Sequence, residues 1–496
     1  MEIKFKHLIL FIGFFVVVKI VFFYLTPAEW GDSYRFLRAG EYLSHFSYPL
    51  DEKRLPLFPF ILSFAFLLKV DPLVWGRMAV LVLSVLCLIF TFKLGTLLLK
   101  NTKSSFLAMV LTAFSPVFFY WTGKVYAEVL FTFLVLLSLT LYFGYKGKHK
   151  SLLLGLMCGL AFMTRFEGFL LFLAILAGIF VKRNIKNLLF YLSSFSIVSA
   201  PYFLFRFINL RNFSSAYFLE PSQFSFDFKA GIAFFASLAF LFGFIPLLDL
   251  SSLKKFLTKK NIGNLLPILV FVVLELLLSF VWQAAIPRLF VPIIPLLSLG
   301  LAKRITAVPK INFKNMVFYV AMWALFLLGR FYVRLPFLVF GKLVLIPLLL
   351  SFIYALFLHF RKQSYLYLLI IAGILSSLLV AYFFKNVYKT VYQAALFGQT
   401  LEGKIAYSDE TGVTNWYLKE GKGVFYDLDY SEEGEYKWLL ENDISYIIDT
   451  NEHNEGSKIE VFKDEEYKSR FEIVKKFRSS IGTAETMSTI YKISKQ

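Results

Sequence analysis

Long, nearly uncharged apolar runs recur along the first 385 residues of this 496-residue chain. An α-helix needs about 20 such residues to cross the hydrocarbon of a bilayer, and a backbone there must satisfy its own N–H and C=O groups. That feature restricts the chain to a polytopic bundle of membrane helices. The composition agrees, with 58% apolar residues, 17% charged residues and 61 Phe, where soluble chains run near 45–50% apolar and about 25% charged. Disorder, collagen and a small disulfide scaffold are excluded. So is a secreted enzyme with one cleaved leader, because the runs continue far past the first. Cys87 and Cys158 both fall inside apolar runs and read as small core residues.

Thirteen candidate spans are predicted, near 8–25, 73–99, 104–120, 126–144, 151–164, 168–181, 188–208, 229–249, 262–282, 289–302, 315–333, 337–359 and 364–384. Several are shorter than a straight crossing requires, which means either short helices around a polar cavity or misplaced boundaries. The first reads as a retained signal-anchor, since no small-residue cleavage site follows it. Alternate loops carry 20 Lys and Arg, from Lys4 and Lys6 to Arg361 and Lys362, against two acids, Glu2 and Asp249. The positive-inside rule places that set and the N-terminus in the cytoplasm, and an odd span count places the C-terminus outside. Ten of the 13 acids before residue 386 then collect on the outer side, and only Glu275 reads as intramembrane. The net charge of +19 is therefore a signature of topology, not of nucleic-acid binding.

The first outer loop, 26–72, reads as two helices: an amphipathic one over Asp32–Phe46 and a short apolar one over Leu57–Leu68, separated by Arg54-Leu55-Pro56. Residues 386–496 carry 14 bases and 20 acids and read as a separate soluble domain. Strands are predicted at Lys404–Ser408, Gly423–Tyr426, Ile444–Asp449, Phe471–Phe477 and Thr486–Ile493, and helices at Thr411–Lys419 and Glu432–Glu441. That alternation predicts a small α/β sheet. The fold class is thus mainly α: a membrane bundle over 1–385 with a small extracytoplasmic α/β domain over 386–496.

The candidate chemistry lies on the outer side. Trp30-Gly31-Asp32-Ser33-Tyr34 places a carboxylate at the membrane surface directly after the first span. There it can accept a proton from an attacking hydroxyl, or simply cap the following helix. Lys53-Arg54-Leu55-Pro56 sets two bases beside a rigid turn, suited either to a phosphate or to lipid head groups. Tyr126-Ala127-Glu128 opens the fourth span, and an acid in a first turn is also favoured by the helix dipole. Thr164-Arg165-Phe166-Glu167-Gly168 is either an internal ion pair or a plain tight turn. Pro287-Arg288-Leu289-Phe290-Val291-Pro292-Ile293-Ile294-Pro295 places one cation against a proline-bent segment, as a fixed charge or as a snorkelling side chain. Asp427-Leu428-Asp429 reads as a turn after a strand. Asn212-Phe213-Ser214 matches a glycosylation sequon, a pattern common by chance.

These motifs, in this order and on one side, resemble the GT-C superfamily of integral-membrane glycosyltransferases, and within it the protein O-mannosyltransferases and the lipid A aminoarabinose transferase. The resemblance implies a thirteen-span plan with the C-terminal domain outside. It implies catalytic roles for Asp32 and Glu128, donor-phosphate binding by Lys53, Arg54, Arg165 and Arg288, and cavity positions for Tyr34, Tyr126 and Glu167. The sequence departs from the pattern at Ser33, where a second acid is common, at Leu289, where an aromatic is common, and at Arg165, where the aminoarabinose-transferase branch often has Lys. Tyr126-x-Glu128 with Arg165-x-Glu167-Gly168 is also similar to the lipid-anchor mannosyltransferases, so the branch stays open.

The implied reaction moves a sugar from a polyprenyl-phosphate donor to a hydroxyl or amine-bearing group of a lipid, glycan or protein outside the cell, with inversion. No cofactor is expected. The five histidines show no ligand spacing, and a divalent ion held by Asp32 and Glu128 is the one metal alternative. The rival class is a lipid or polysaccharide transporter or flippase, for which Lys19, Lys93, Glu275 and Lys342 are the midplane candidates.

Overall fold

The computed structural model describes residues 5–49, 52–181, 184–210, 259–278, 287–307, 374–375, 377–379, 381–407, 412–418, 421–425, 432–451, 469–481 and 484–494. The predicted spans 229–249, 315–333 and 337–359, most of 364–384, and the residues Asn212, Lys342, Asp427 and Asp429 lie outside them. The described chain is mainly helical with one small sheet. It divides into two compact units, Met1–Lys19 with Ala39–Val380, and Ile20–Arg38 with Ala381–Gln496.

Among the described residues, the helices of the first 307 residues are α1 (Phe5–Leu25), α2 (Gly31–Ser44), α3 (Leu57–Leu67), α4 (Pro72–Leu99), α5 (Thr102–Ala113), α6 (Pro116–Trp121), α7 (Ala127–Gly144), α8 (Lys150–Thr164), α9 (Gly168–Phe180), α10 (Ile185–Leu210), α11 (Lys259–Leu278) and α12 (Ile294–Ala307), with a 3-10 turn at Pro287–Phe290. Four helices among the described residues are long and apolar enough to cross a membrane: Phe5–Leu25, Pro72–Leu99, Ala127–Gly144 and Ile185–Asn209.

Local chemistry sets the boundaries. Asp71 caps α4 by accepting from the Leu73 and Val74 amides, with Pro72 in the first turn, where a missing N–H costs nothing. Asn101 caps α5 through the Lys103 and Ser104 amides. The predicted span 104–120 is instead two helices. Pro116 lacks an N–H and drives Ser115 into extended backbone (φ −63°, ψ 127°), so α5 stops and α6 restarts. Likewise the predicted span 289–302 is a 3-10 turn followed by α12.

Two helix contacts position the site. Gly155 and Gly159 of α8 face α10, where an added Cβ would run into the Tyr191 carbonyl and the Ser194 side chain at one glycine and Val198 at the other. This is the small-residue spacing that lets membrane helices approach closely. On α9, Gly178 leaves room for Pro267 of α11, 2.7 Å from the position of its absent Cβ. Helices α8 and α9 have only 15 and 13 residues. They fall short of a full crossing by roughly 8–10 Å, so their shortness is real and leaves room for the polar turn that joins them.

The second unit contains α13 (Lys389–Gly398), β1 (Lys404–Tyr407), α14 (Val413–Tyr417), β2 (Gly423–Phe425), α15 (Glu432–Glu441), β3 (Ile444–Thr450), β4 (Phe471–Ile481) and β5 (Ala484–Ile493). The sheet order is β2-β1-β3-β5-β4. Strand β1 pairs in parallel with β2 and β3, and β5 pairs antiparallel with β3 and β4. Alternation along β1 decides the two faces. Ile405 and Tyr407 pack with Ala394 of α13 and Leu418, whereas Ala406 packs with Tyr436 and Leu439 of α15.

Residues 20–38 complete this unit. The Tyr34 and Tyr417 hydroxyls lie 3.3 Å apart, with ring centroids 5.6 Å apart. The Glu29 amide donates to the Tyr34 hydroxyl at 3.0 Å, Trp30 meets Tyr388 edge-on at 5.9 Å, and Arg38 donates to the Asn415 carbonyl at 3.4 Å.

Candidate active site

The charges of the first unit gather around Arg165, in the turn between α8 and α9. Its Nη1 donates to Glu128 Oε1 at 2.6 Å, its Nε to Glu167 Oε1 at 3.0 Å, and its Nη2 also reaches Glu167. The predicted turn is thus both an ion pair and a tight turn, since a Cβ on Gly168 would strike the backbone of Ala161 and Phe162. Burial acts to lower the Arg165 pKa, but Glu128 first and Glu167 next outweigh it and hold the pKa above its already high usual value.

Glu128 lies in the first turn of α7 and is 1% exposed. The same Oε1 that takes Arg165 is 3.3 Å from Arg288 Nε. The Arg288 guanidinium lies over the Tyr126 ring at 4.8 Å and near the Trp121 ring at 5.9 Å. It is therefore held on an aromatic floor rather than extended to the surface. Two guanidiniums share one buried carboxylate, an arrangement that needs all three charges.

A second cluster surrounds Arg54, which is buried rather than placed among head groups. Its Nη1 and its backbone amide both donate to Glu52 Oε1 at 2.9 Å, and the Tyr48 hydroxyl donates to its carbonyl at 2.8 Å. Lys53 beside it is half-buried. Arg206 of α10, 1% exposed, reaches the Glu52 carbonyl at 3.5 Å and the Tyr202 hydroxyl at 3.4 Å. Leu55, Met163 and Tyr202 pack together with Phe166 alongside, which joins this cluster to the Arg165 turn.

Asp32 belongs to the second unit. Helix α2 begins at Gly31, so Asp32 lies inside its first turn rather than at its cap. Its side chain is 29% exposed, 4.0 Å from Arg35. Tyr34, two residues on, is fully buried, and burial, with Tyr417 next, pushes its phenol above the usual range.

The structure thus brings together Tyr126, Glu128, Arg165, Glu167 and Arg288, sets Lys53 and Arg54 in the adjoining cluster, and places Asp32 and Tyr34 in the other unit. Sequence reasoning missed Lys124 and Arg206 as site candidates. Lys124 is fully buried in the α6–α7 connection, with its ammonium 5.6 Å from the Tyr120 ring. The available signal was a charge beside an aromatic run. Lys19 is bonded internally to the Phe119 carbonyl and to Thr122, and Lys93 is exposed. Among the described residues no group of three His, Cys, Asp or Glu side chains could hold a metal ion.

Residues 53–204 match the family model described as dolichyl-phosphate-mannose-protein mannosyltransferase. A search of curated proteins finds no match. Among solved structures the chain is similar to ArnT from Cupriavidus metallidurans bound to undecaprenyl phosphate, with a TM-score of 0.66 and 12% identity over 97% of this chain and 98% of that one. The apo state of the same protein gives a TM-score of 0.64 at 12% identity over 97% of each chain. The resemblance to the GT-C integral-membrane glycosyltransferases is borne out, and the chain has an ArnT-like fold. It is an integral membrane protein.

Proposed function

We propose that this protein is a membrane glycosyltransferase that moves a sugar from a polyprenyl-phosphate donor to a hydroxyl or amine-bearing group of a lipid, glycan or protein acceptor outside the cell. The observation that carries this reading is the pair of guanidiniums, Arg165 and Arg288, each 17% exposed and both on Glu128. They stand in an apolar helical bundle whose fold is shared with a protein crystallised with undecaprenyl phosphate. When the glycosidic C–O bond breaks, the departing polyprenyl phosphate gains negative charge. Prepositioned cations in a poorly solvated site stabilise that charge far better than water does. Arg54, Lys53 and Arg206 add to the same cationic region.

In this reading Asp32 takes the proton from the attacking hydroxyl. The hydroxyl oxygen bonds to the anomeric carbon as the phosphate leaves, and a single displacement inverts that centre. In this reading residues 1–385 are the catalytic membrane domain and 386–496 an extracytoplasmic domain, with the N-terminus in the cytoplasm.

The test is a transfer assay on purified protein with a panel of polyprenyl-phosphate sugars, alongside Asp32→Asn. Release of sugar from one donor, lost in the variant, is the expected result. No release and no thermal shift with any donor would overturn the reading in favour of transport.

A further inference from the structure

We infer that Glu275 is a specificity-determining residue that recognises the sugar carried by the polyprenyl phosphate, an inference that rests on the donor class proposed above. Helices α9 and α11 run antiparallel past each other. Gly178 near the end of α9 meets Pro267, and Glu275 lies eight residues further along α11, about 12 Å. That carries it toward the start of α9, where it senses the charges of both Glu167 and Arg165.

Its side chain is 3% exposed, and among the described residues neither of its buried carboxyl oxygens has a hydrogen-bond partner. Glu128 repeats the pattern, because Oε1 takes both arginines while Oε2 is buried and unpartnered. Among the described residues, three buried acceptor oxygens, two on Glu275 and one on Glu128, therefore stand without a partner near the Arg165 turn. Buried polar atoms in native proteins are nearly always paired, and an intramembrane acid is rarely without a role.

Buried acceptors of this kind are complementary to a ligand rich in hydrogen-bond donors. A bare phosphate monoester at neutral pH brings mainly acceptors and is not such a ligand. A glycosyl group brings several hydroxyl donors, or an amino group. The acceptors at Glu275 and Glu128 are therefore complementary to the sugar, and the guanidiniums to the phosphate it is attached to.

The test compares binding of bare undecaprenyl phosphate with that of a panel of undecaprenyl-phosphate hexoses and pentoses, using full-length protein in nanodiscs. Wild-type protein is expected to bind one glycosylated donor more tightly than the bare lipid phosphate. Glu275→Leu is expected to lose about tenfold to hundredfold in affinity for that donor and to bind the bare phosphate unchanged, a split that general loss of structure does not produce. Should the leucine variant fail to fold, Glu275→Gln is assayed with singly deoxygenated donors. One hydroxyl whose removal weakens binding in wild-type protein but not in the variant supports the inference, and the absence of any such hydroxyl overturns it. A leucine variant that keeps the wild-type preference also overturns it. Wild-type protein that binds neither ligand refutes the donor class itself.

Discussion

Replacing Arg165 by lysine keeps the charge and removes the fork. The guanidinium makes one contact to Glu128, at 2.6 Å, and two to Glu167. An ammonium is a compact point charge that can serve one of the two carboxylates but not both with this geometry. Two of the three contacts are then lost. Hydrogen bonds to charged groups contribute about 1.5–3 kcal/mol each, and some of that returns as the lysine relaxes. The net cost expected for Arg165→Lys is therefore about 3 kcal/mol, roughly a hundredfold in the folding equilibrium. The side chains of Arg165, Glu128 and Glu167 are 17%, 2% and 11% exposed, so water screens little of it. The assay is reversible unfolding by SDS in mixed micelles, followed by tryptophan fluorescence. Glu167→Gln is measured in both backgrounds, and a coupling energy of about 2 kcal/mol is expected. The exposed pair Lys437–Glu441, 3.9 Å apart, is the control, and Lys437→Met is expected to change stability by less than about 0.5 kcal/mol. A coupling energy at Arg165 no larger than an exposed pair delivers, below about 1 kcal/mol, would refute the view of the turn as a buried network.

Three further outcomes follow from the geometry. Asp32→Asn is expected to abolish transfer while leaving the thermal unfolding curve in place; near-wild-type turnover would remove Asp32 from the role of base. Gly155→Leu is expected to destabilise the protein by about 3 kcal/mol or more, because its side chain meets backbone as well as Ser194, and the same mixed-micelle assay reads it. Tyr34 stays protonated in the folded protein beyond the pH at which the unfolded phenol ionises. Its contribution to stability is therefore full below about pH 10 and declines as pH rises further, by up to about 1.4 kcal/mol per pH unit. Phe at position 34 is expected to flatten that decline, and an unchanged profile between pH 9 and 11 would contradict the assignment.

The charged turn and the acids near it were legible because an ionisable residue is conspicuous in an apolar run. Glu128, Arg165 and Arg288 needed no structure to be singled out. Their sharing of one carboxylate was not legible, since it depends on how α7, α8 and the 3-10 turn meet. Arg206 was hidden because a base near a predicted span end reads as an anchor, and its inward direction is set by the close packing of α8 on α10. The sheet was read well where local alternation carries the signal. Strand β4 was read four residues short, because its extension to Ile481 follows from pairing with β5 rather than from its own polar residues. The docking of Tyr34 on Tyr417 left no local trace at all.

That last contact has a consequence in time. Its two tyrosines are 383 residues apart in the chain. At a synthesis rate of about 5–20 residues per second, the wait between making one and making the other is roughly 20–80 s. During that wait the first turns of α2, which carry Asp32, lack the aromatic partners that order them. Chains arrested before residue 417 are expected to be cut by trypsin at Arg35 and Arg38, and completed chains to resist. A segment made late therefore sets the moment at which one made 383 residues earlier takes its working form.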